Sequence, residues 1–347
     1  MFISIRSLLA CADSSSLLWG HLHDFVFVRD EEGRPVFRIG NSAVIFRVRY
    51  RGQECKMKCY VRPKRNLRAI YRENYYPKEL CVPDIMGRRV DVVLEPWVEG
   101  ETLDSAICAA LDDRERMQWL ADEFDSLAMR LLDAEWAHGD LKLENIVVNA
   151  EGMHLIDFDA IYRPGFEPQD CNEIGTIDFQ HPLRGRRFDK SIDDYPIALI
   201  STVLHALAVD PTLAERYPIE DTLPINPRAA VDGCDEALSE IETLFARKGM
   251  AARYRIARLL HSPHVALSSL RERIEEARLP LTPRALQPVL FARRGLFGFR
   301  DKQGVVIPPL FDQAFEFNDG RAEVLLGDIW LEIEKNEGKF LFREVKR

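Results

Sequence analysis

The chain has 347 residues, 46% of them hydrophobic, which is enough to bury a sizeable core and more than one ordinary domain needs. A net charge of −9 and a pI near 5.5 argue against bulk binding to nucleic acid or to an anionic membrane. Seven cysteines without a CxxC pair suggest neither a disulfide framework nor a zinc cluster, and a reducing cytoplasm fits them best.

In chain order, "MFISIRSLLACADSSS" carries an apolar run that is short and interrupted by Ser4, Arg6 and Ser7, so no export signal or lipid anchor is expected. No other segment approaches the roughly 18 apolar residues of a membrane helix. From Phe25 to Val61 the pattern is β: "FVFV", "PVFRI", "AVIFRVRY" and "CKMKCYV", separated by turn residues, predict an antiparallel meander of three or four strands. Residues 64 to 76 have Leu67, Ile70 and Tyr71 at helical spacing and predict one helix before Pro77. "VDVVLEPWVEG" is the next strand, and 102 to 137 turns helical. "NIVV" and "MHLID" flank "NAEG" as a hairpin, and 157 to 190 is loop-like. Helical patterns run from "DDYPIALISTVLHAL" to about Arg278. Pro280, Pro283 and Pro288 make a stiff connector to a small β module of hairpins.

The chemistry concentrates at residues 138 to 159, "HGDLKLEN" followed after one hairpin by "IDFD". Read singly, Asp140, Asn145 and Asp157 are ordinary turn formers. Read together, they are a carboxylate base and two hard oxygen donors at fixed offsets. In that order the two motifs resemble the protein-kinase-like superfamily, whose signature is H-R-D-L-x-x-x-N and then D-F-G. The resemblance covers about residues 21 to 278. It implies an α+β, two-lobed protein-kinase-like fold with an antiparallel β N-lobe at 21–95 and a mainly α C-lobe at 96–278. An N-terminal extension, 1–20, precedes the lobes; a Pro-rich linker, 279–290, and a β module, 291–347, follow.

It also implies roles. Asp140 is the base toward the acceptor hydroxyl, Lys142 a point charge toward the transferring phosphate, and Asn145 with Asp157 the ligands of Mg²⁺ or Mn²⁺. Lys58 falls where kinases hold the phosphates of ATP with a strand lysine, with Glu73 as its natural partner; Lys56, on the same strand face, is the alternative. Gly40, Asn41 and Ser42 stand at the phosphate-covering loop, reduced to one glycine, or at an ordinary turn. Leu94, Glu95 and Trp97 stand at the adenine edge, although Trp97 would also serve as core packing. Asp193 matches the helix aspartate that supports the catalytic loop.

Two departures matter. Gly139 replaces an arginine that pairs with a phosphorylated loop, so control of that kind is not expected. Asp159 replaces the glycine of D-F-G, as in small-molecule phosphotransferases and atypical kinases, whereas "DLKLEN" and "GTIDFQHP" (175 to 182) resemble Ser/Thr protein kinases. The expectation is therefore ATP- and Mg²⁺-dependent phosphoryl transfer to Ser or Thr of a protein. A small-molecule or lipid kinase and a pseudokinase scaffold are the alternatives.

Residues 47 to 78 hold eleven Lys or Arg against two acids, which is either a docking patch for an acidic partner or for RNA, or a solvated surface. The tail from "GLFGFRDKQGVVIPP" resembles the bacterial WG repeat. Since one repeat cannot bury its own face, the module should pack on the helical lobe or on a protein partner.

Overall fold

The computed structural model describes residues 5–12, 19–23, 25–40, 42–82, 89–185, 187–219, 222–283, 288–336 and 338–346. It is a mixed α+β chain that divides into two compact units. The first is Met1–Gly100 with Ile156–Ile161 and Glu167–Glu173; the second is Glu101–Leu155 with Tyr162–Phe166 and Ile174–Arg347.

In the first unit, helix α1 (Ile5–Ala12) precedes β1 (Phe25–Phe27), β2 (Phe37–Ile39), β3 (Ala43–Tyr50) and β4 (Gln53–Tyr60); helix α2 (Leu67–Tyr71) leads to β5 (Tyr75–Cys81) and β6 (Arg89–Pro96). All six strands form one antiparallel sheet in the order β1-β3-β4-β6-β5, with β2 also paired to β3. Period-two alternation explains its core face: Val44, Phe46 and Val48 of β3 lie opposite Cys59, Met57 and Cys55 of β4, and all six are buried. Lys56, Lys58 and Tyr60 therefore share the opposite face of β4. The β3–β4 hairpin closes through Arg51 and Gly52, both at positive φ (49° and 82°), the conformation that a two-residue hairpin turn demands.

The helix expected over 64 to 76 is cut short. Only Leu67–Tyr71 is α-helical, a 3-10 turn takes Arg72–Asn74, and 75–81 is a strand on the sheet edge. Pairing with β6 overrides the helical spacing, and the register shift between Tyr76 and Leu80 accommodates Pro77, which an edge strand tolerates. The buried Glu79 on this strand accepts the backbone amides of Gly20 (2.9 Å), His21 (2.5 Å) and Leu22 (2.7 Å), fastening residues 20–22 to the sheet.

In the second unit come β7 (Glu101–Thr102), α3 (Leu103–Ala110), α4 (Arg114–Asp133), β8 (Ile146–Asn149) and β9 (Gly152–Leu155), then α5 (Asp194–Val209), α6 (Leu213–Arg216), α7 (Pro227–Val231), α8 (Glu236–Arg247), α9 (Ala251–Leu259) and α10 (Leu270–Arg278). Asp113 caps α4, its side chain accepting the Arg116 amide at 2.9 Å. Strands β7, β8 and β9 form a small antiparallel sheet, with β8 and β9 joined as the expected hairpin. Among the described residues one stretch, Lys190–Val209, has the length and hydropathy of a membrane span; it is 89% buried inside the protein, as a core helix is.

The C-terminal module has two antiparallel sheets. One holds β10 (Val289–Arg293), β11 (Leu296–Asp301) and β12 (Gly304–Phe311); the other holds β13 (Gln313–Ala314), β14 (Arg321–Leu326), β15 (Ile329–Asn336) and β16 (Lys339–Glu344). It packs on the helices of the same unit, and Phe299, Phe311, Val324 and Leu331 join the helical core. Arg255 of α9 ties the two together, donating from Nε to the Leu310 carbonyl at 2.7 Å and pairing with Asp312 at 2.9 Å.

Candidate functional site

In the first unit the site is built around Lys58. Its position on the non-core face of β4 would leave a lysine in solvent, yet it is 3% exposed, because the segment Ile156–Ile161 covers that face. Its ammonium lies 2.6 Å from Asp157 Oδ1 and 2.9 Å from Asp159 Oδ2. Asp159 is also buried, and its Oδ1 accepts the hydroxyls of Tyr60 (2.7 Å) and Tyr71 (2.6 Å). Burial opposes the charge on Lys58, but the carboxylates of Asp157 and Asp159 more than offset it, holding its pKa above the ordinary lysine value. Burial, reinforced by Asp159, pushes both tyrosines up as well, so they remain neutral donors. Asp157 takes a left-handed backbone (φ 66°, ψ 72°), unusual for a residue other than glycine and a conformation that recurs at functional sites.

The structure separates Lys58 from Glu73. Glu73 is exposed on the 3-10 turn after α2, and the α2 residue aimed at the lysine's surroundings is Tyr71. Helix α2 has only five residues, and the 3-10 turn Arg72–Asn74 that follows it buries none of its side chains. Lys56 is paired elsewhere, with Glu95 of β6 at 2.9 Å. Trp97 is half-buried at the surface, with the Arg47 guanidinium 4.6 Å over its ring and its Nε1 donating to Glu99 at 3.2 Å. Leu94 lies in the core of the sheet. Gly40 and Ser42 frame the β2–β3 turn: the Gly40 amide donates to the Ala43 carbonyl at 2.9 Å, and the Ser42 carbonyl accepts the amides of Val61 and Arg62. Asn41 lies outside the described residues.

Residues 167–173 of the same unit are fastened to the chain after β4. Lys64 pairs with Glu173, the Arg65 amide donates to Asn172 Oδ1 at 2.8 Å, and Asn172 Nδ2 returns a bond to the Arg65 carbonyl at 3.0 Å.

In the second unit the loop 138–145 is held by α5. The buried Asp193 carboxylate accepts the amides of His138 and Gly139, the latter at 2.9 Å, so the support expected of this residue is made through the backbone. Gly139 has φ 83°, and its carbonyl accepts Arg184 at 2.7 Å. The side-chain nitrogen of Asn145 donates to the Asp140 carbonyl (2.8 Å) and to Asp140 Oδ2 (3.2 Å), which fixes the orientation of the side-chain amide. Asp140 Oδ1 accepts the Thr176 amide at 2.6 Å, so the "GTIDFQHP" segment is anchored on the candidate base itself. Lys142 pairs with Glu144 at 2.5 Å.

Asn145 in the second unit and Asp157 in the first each carry an oxygen donor of the kind that Mg²⁺ takes, and the Asp157 carboxylate is 40% exposed. Among the described residues no group of three His, Cys, Asp or Glu side chains is gathered as a protein-only metal site.

Asp194, next to Asp193, is lifted to about 7 by burial and by the charges of Asp193 and Asp189, although its carboxylate accepts the Leu267 amide at 2.9 Å. A carboxyl whose pKa is higher folded than unfolded favours folding while protonated. Its contribution is therefore fully present below the ordinary value of 3.8 and is lost as pH rises through about 7. The expected loss is on the order of 2–4 kcal/mol. Melting curves across that range should show the decline in wild type and a flatter profile in Asp194→Asn; parallel profiles would contradict it.

Neither a comparison with protein-family models nor a search of curated proteins finds a match for this chain. The sequence marks Asp159 only as a departure from D-F-G and Tyr71 only as a helix position, and it does not single out Tyr60. The signal available for Asp159 was its place where D-F-G has glycine, since a carboxylate there needs a cation.

Proposed function

We propose that the chain is a phosphotransferase of protein-kinase-like architecture, moving the γ-phosphoryl group of ATP to a hydroxyl, most directly a Ser or Thr of a protein. The observation that carries this reading is the meeting of Lys58 and Asp157. They lie 99 residues apart in sequence, the one resemblance implies both, and they are 2.6 Å apart in the first unit. The support of the 138–145 loop by Asp193 adds to it.

In this mechanism the phosphorus–oxygen bond to the acceptor forms as the bond to ADP breaks, and Asp140 receives the hydroxyl proton. The Thr176 amide on one oxygen and Asn145 on the other fix the Asp140 carboxylate for that task. Lys58 grips the nucleotide phosphates as a buried point charge, and Lys142 approaches the transferring group. Asn145 and Asp157 would hold Mg²⁺, which when bound neutralises charge on the phosphates. Glu95 and Trp97 are the candidate adenine contacts.

ATP with Mg²⁺ should raise the melting temperature, corresponding to ~2.7 kcal/mol at a hundredfold excess over Kd, and the rise should vanish in Asp157→Ala. No rise in wild type would count against nucleotide binding. Turnover on sugars or lipid head groups, with none on any protein, would move the acceptor to a small molecule.

A further inference from the structure

We propose that Asp159 is the positioning residue of Lys58, holding the ammonium in place with the help of the Tyr60 and Tyr71 hydroxyls, the task for which the sequence pointed to Glu73. The inference deepens the phosphotransferase reading and rests on it for its catalytic consequence.

The two carboxylates on Lys58 are not equivalent. Asp159 is 4% exposed, and the oxygen that does not face Lys58 is taken by two phenol hydroxyls at 2.7 and 2.6 Å. A ligand could reach it only by breaking buried bonds that reinforce one another. Asp157 is 40% exposed and can exchange partners at its open side. An ammonium has three donors; one directed to Asp159 keeps the group in place while another meets Asp157. Asp157 can then turn to another ligand without setting the lysine loose.

Local backbone makes this possible. The left-handed Asp157 followed by the 3-10 turn Phe158–Ala160 folds residues two apart onto one ammonium. Tyr60 is the last residue of β4 and Tyr71 the last of α2, so strand, helix and turn are tied together at one carboxylate. With its partner on the segment that carries Asp157, the lysine does not depend on Glu73, which stays exposed.

The test needs no nucleotide. A lysine ammonium held in a buried ion pair exchanges its protons slowly enough to give its own proton–nitrogen signal in protein carrying isotope-labelled lysine, and Lys58→Arg identifies that signal by its disappearance. The expected result is a signal that persists in Asp157→Asn and Glu73→Gln and is lost in Asp159→Asn. Survival in Asp159→Asn, or loss in Glu73→Gln, would overturn the proposal. If Asp159→Asn does not fold, Tyr71→Phe keeps both charges and removes one hydroxyl; faster exchange is expected, and unchanged exchange would overturn the assignment. In transfer assays Asp159→Asn should lower kcat about 10²-fold and raise KM for ATP, because the lysine is misplaced on the phosphates. A purely structural loss would lower apparent kcat and leave KM for ATP unmoved. Expected behaviour of the ammonium signal together with no transfer by wild type would uphold Asp159 and sink the phosphotransferase reading alone.

Discussion

Asp140→Ala should lower the rate of phosphoryl transfer by ~10²- to 10⁴-fold, the usual cost of losing a positioned general base. The carboxylate also accepts the Thr176 amide and the Asn145 side chain, so its removal loosens two neighbours as well. Each lost hydrogen bond costs about 1 kcal/mol, a small change beside the loss of rate. Affinity for ATP, read by nucleotide-dependent melting, should stay close to wild type, because Asp140 faces the acceptor in the mechanism. A variant that transfers phosphate at more than a tenth of the wild-type rate would remove Asp140 from the role of base.

Lys58→Met should produce the largest loss of stability among the site variants. It leaves the Asp159 carboxylate buried with two tyrosine hydroxyls and no cation, and breaking a buried ion pair by removing one partner costs about 3–5 kcal/mol. Denaturant midpoints measure this directly. The double variant Lys58→Met, Asp159→Leu should recover part of that stability, since the uncompensated charge is gone, while transfer stays abolished. Equal stability of Lys58→Met and wild type would mean that Asp159 finds its compensation elsewhere.

Local signals account for what the sequence disclosed. Alternation located strands β3 and β4, and the turn residues Arg51 and Gly52 marked their hairpin. The spacing of "HGDLKLEN" and "IDFD" brought Asp140, Asn145 and Asp157 forward, and the sheet placed Lys58 against Asp157. What stayed hidden depends on distant partners. The helical spacing over 64 to 76 takes in only Tyr75 and Tyr76 of strand β5, whose pairing with β6 lies outside any local window. The bonds from Glu79 to residues 20–22 join side chain and backbone nearly sixty residues apart, beyond the reach of motif or periodicity. Glu73 is the only acid between residues 55 and 78, whereas the acids that meet Lys58 in space, Asp157 and Asp159, come from the far side of a hairpin.

The measurement that tests the central claim most directly is magnesium-dependent transfer of labelled γ-phosphate from ATP, to the chain itself and to generic protein substrates, with wild type beside Asp140→Ala and Asp157→Ala. The account predicts transfer by wild type and a loss of at least ~10²-fold in either variant. Absence of transfer by wild type, together with no magnesium-dependent rise in melting temperature with ATP, would contradict it and leave a scaffold built on the same fold.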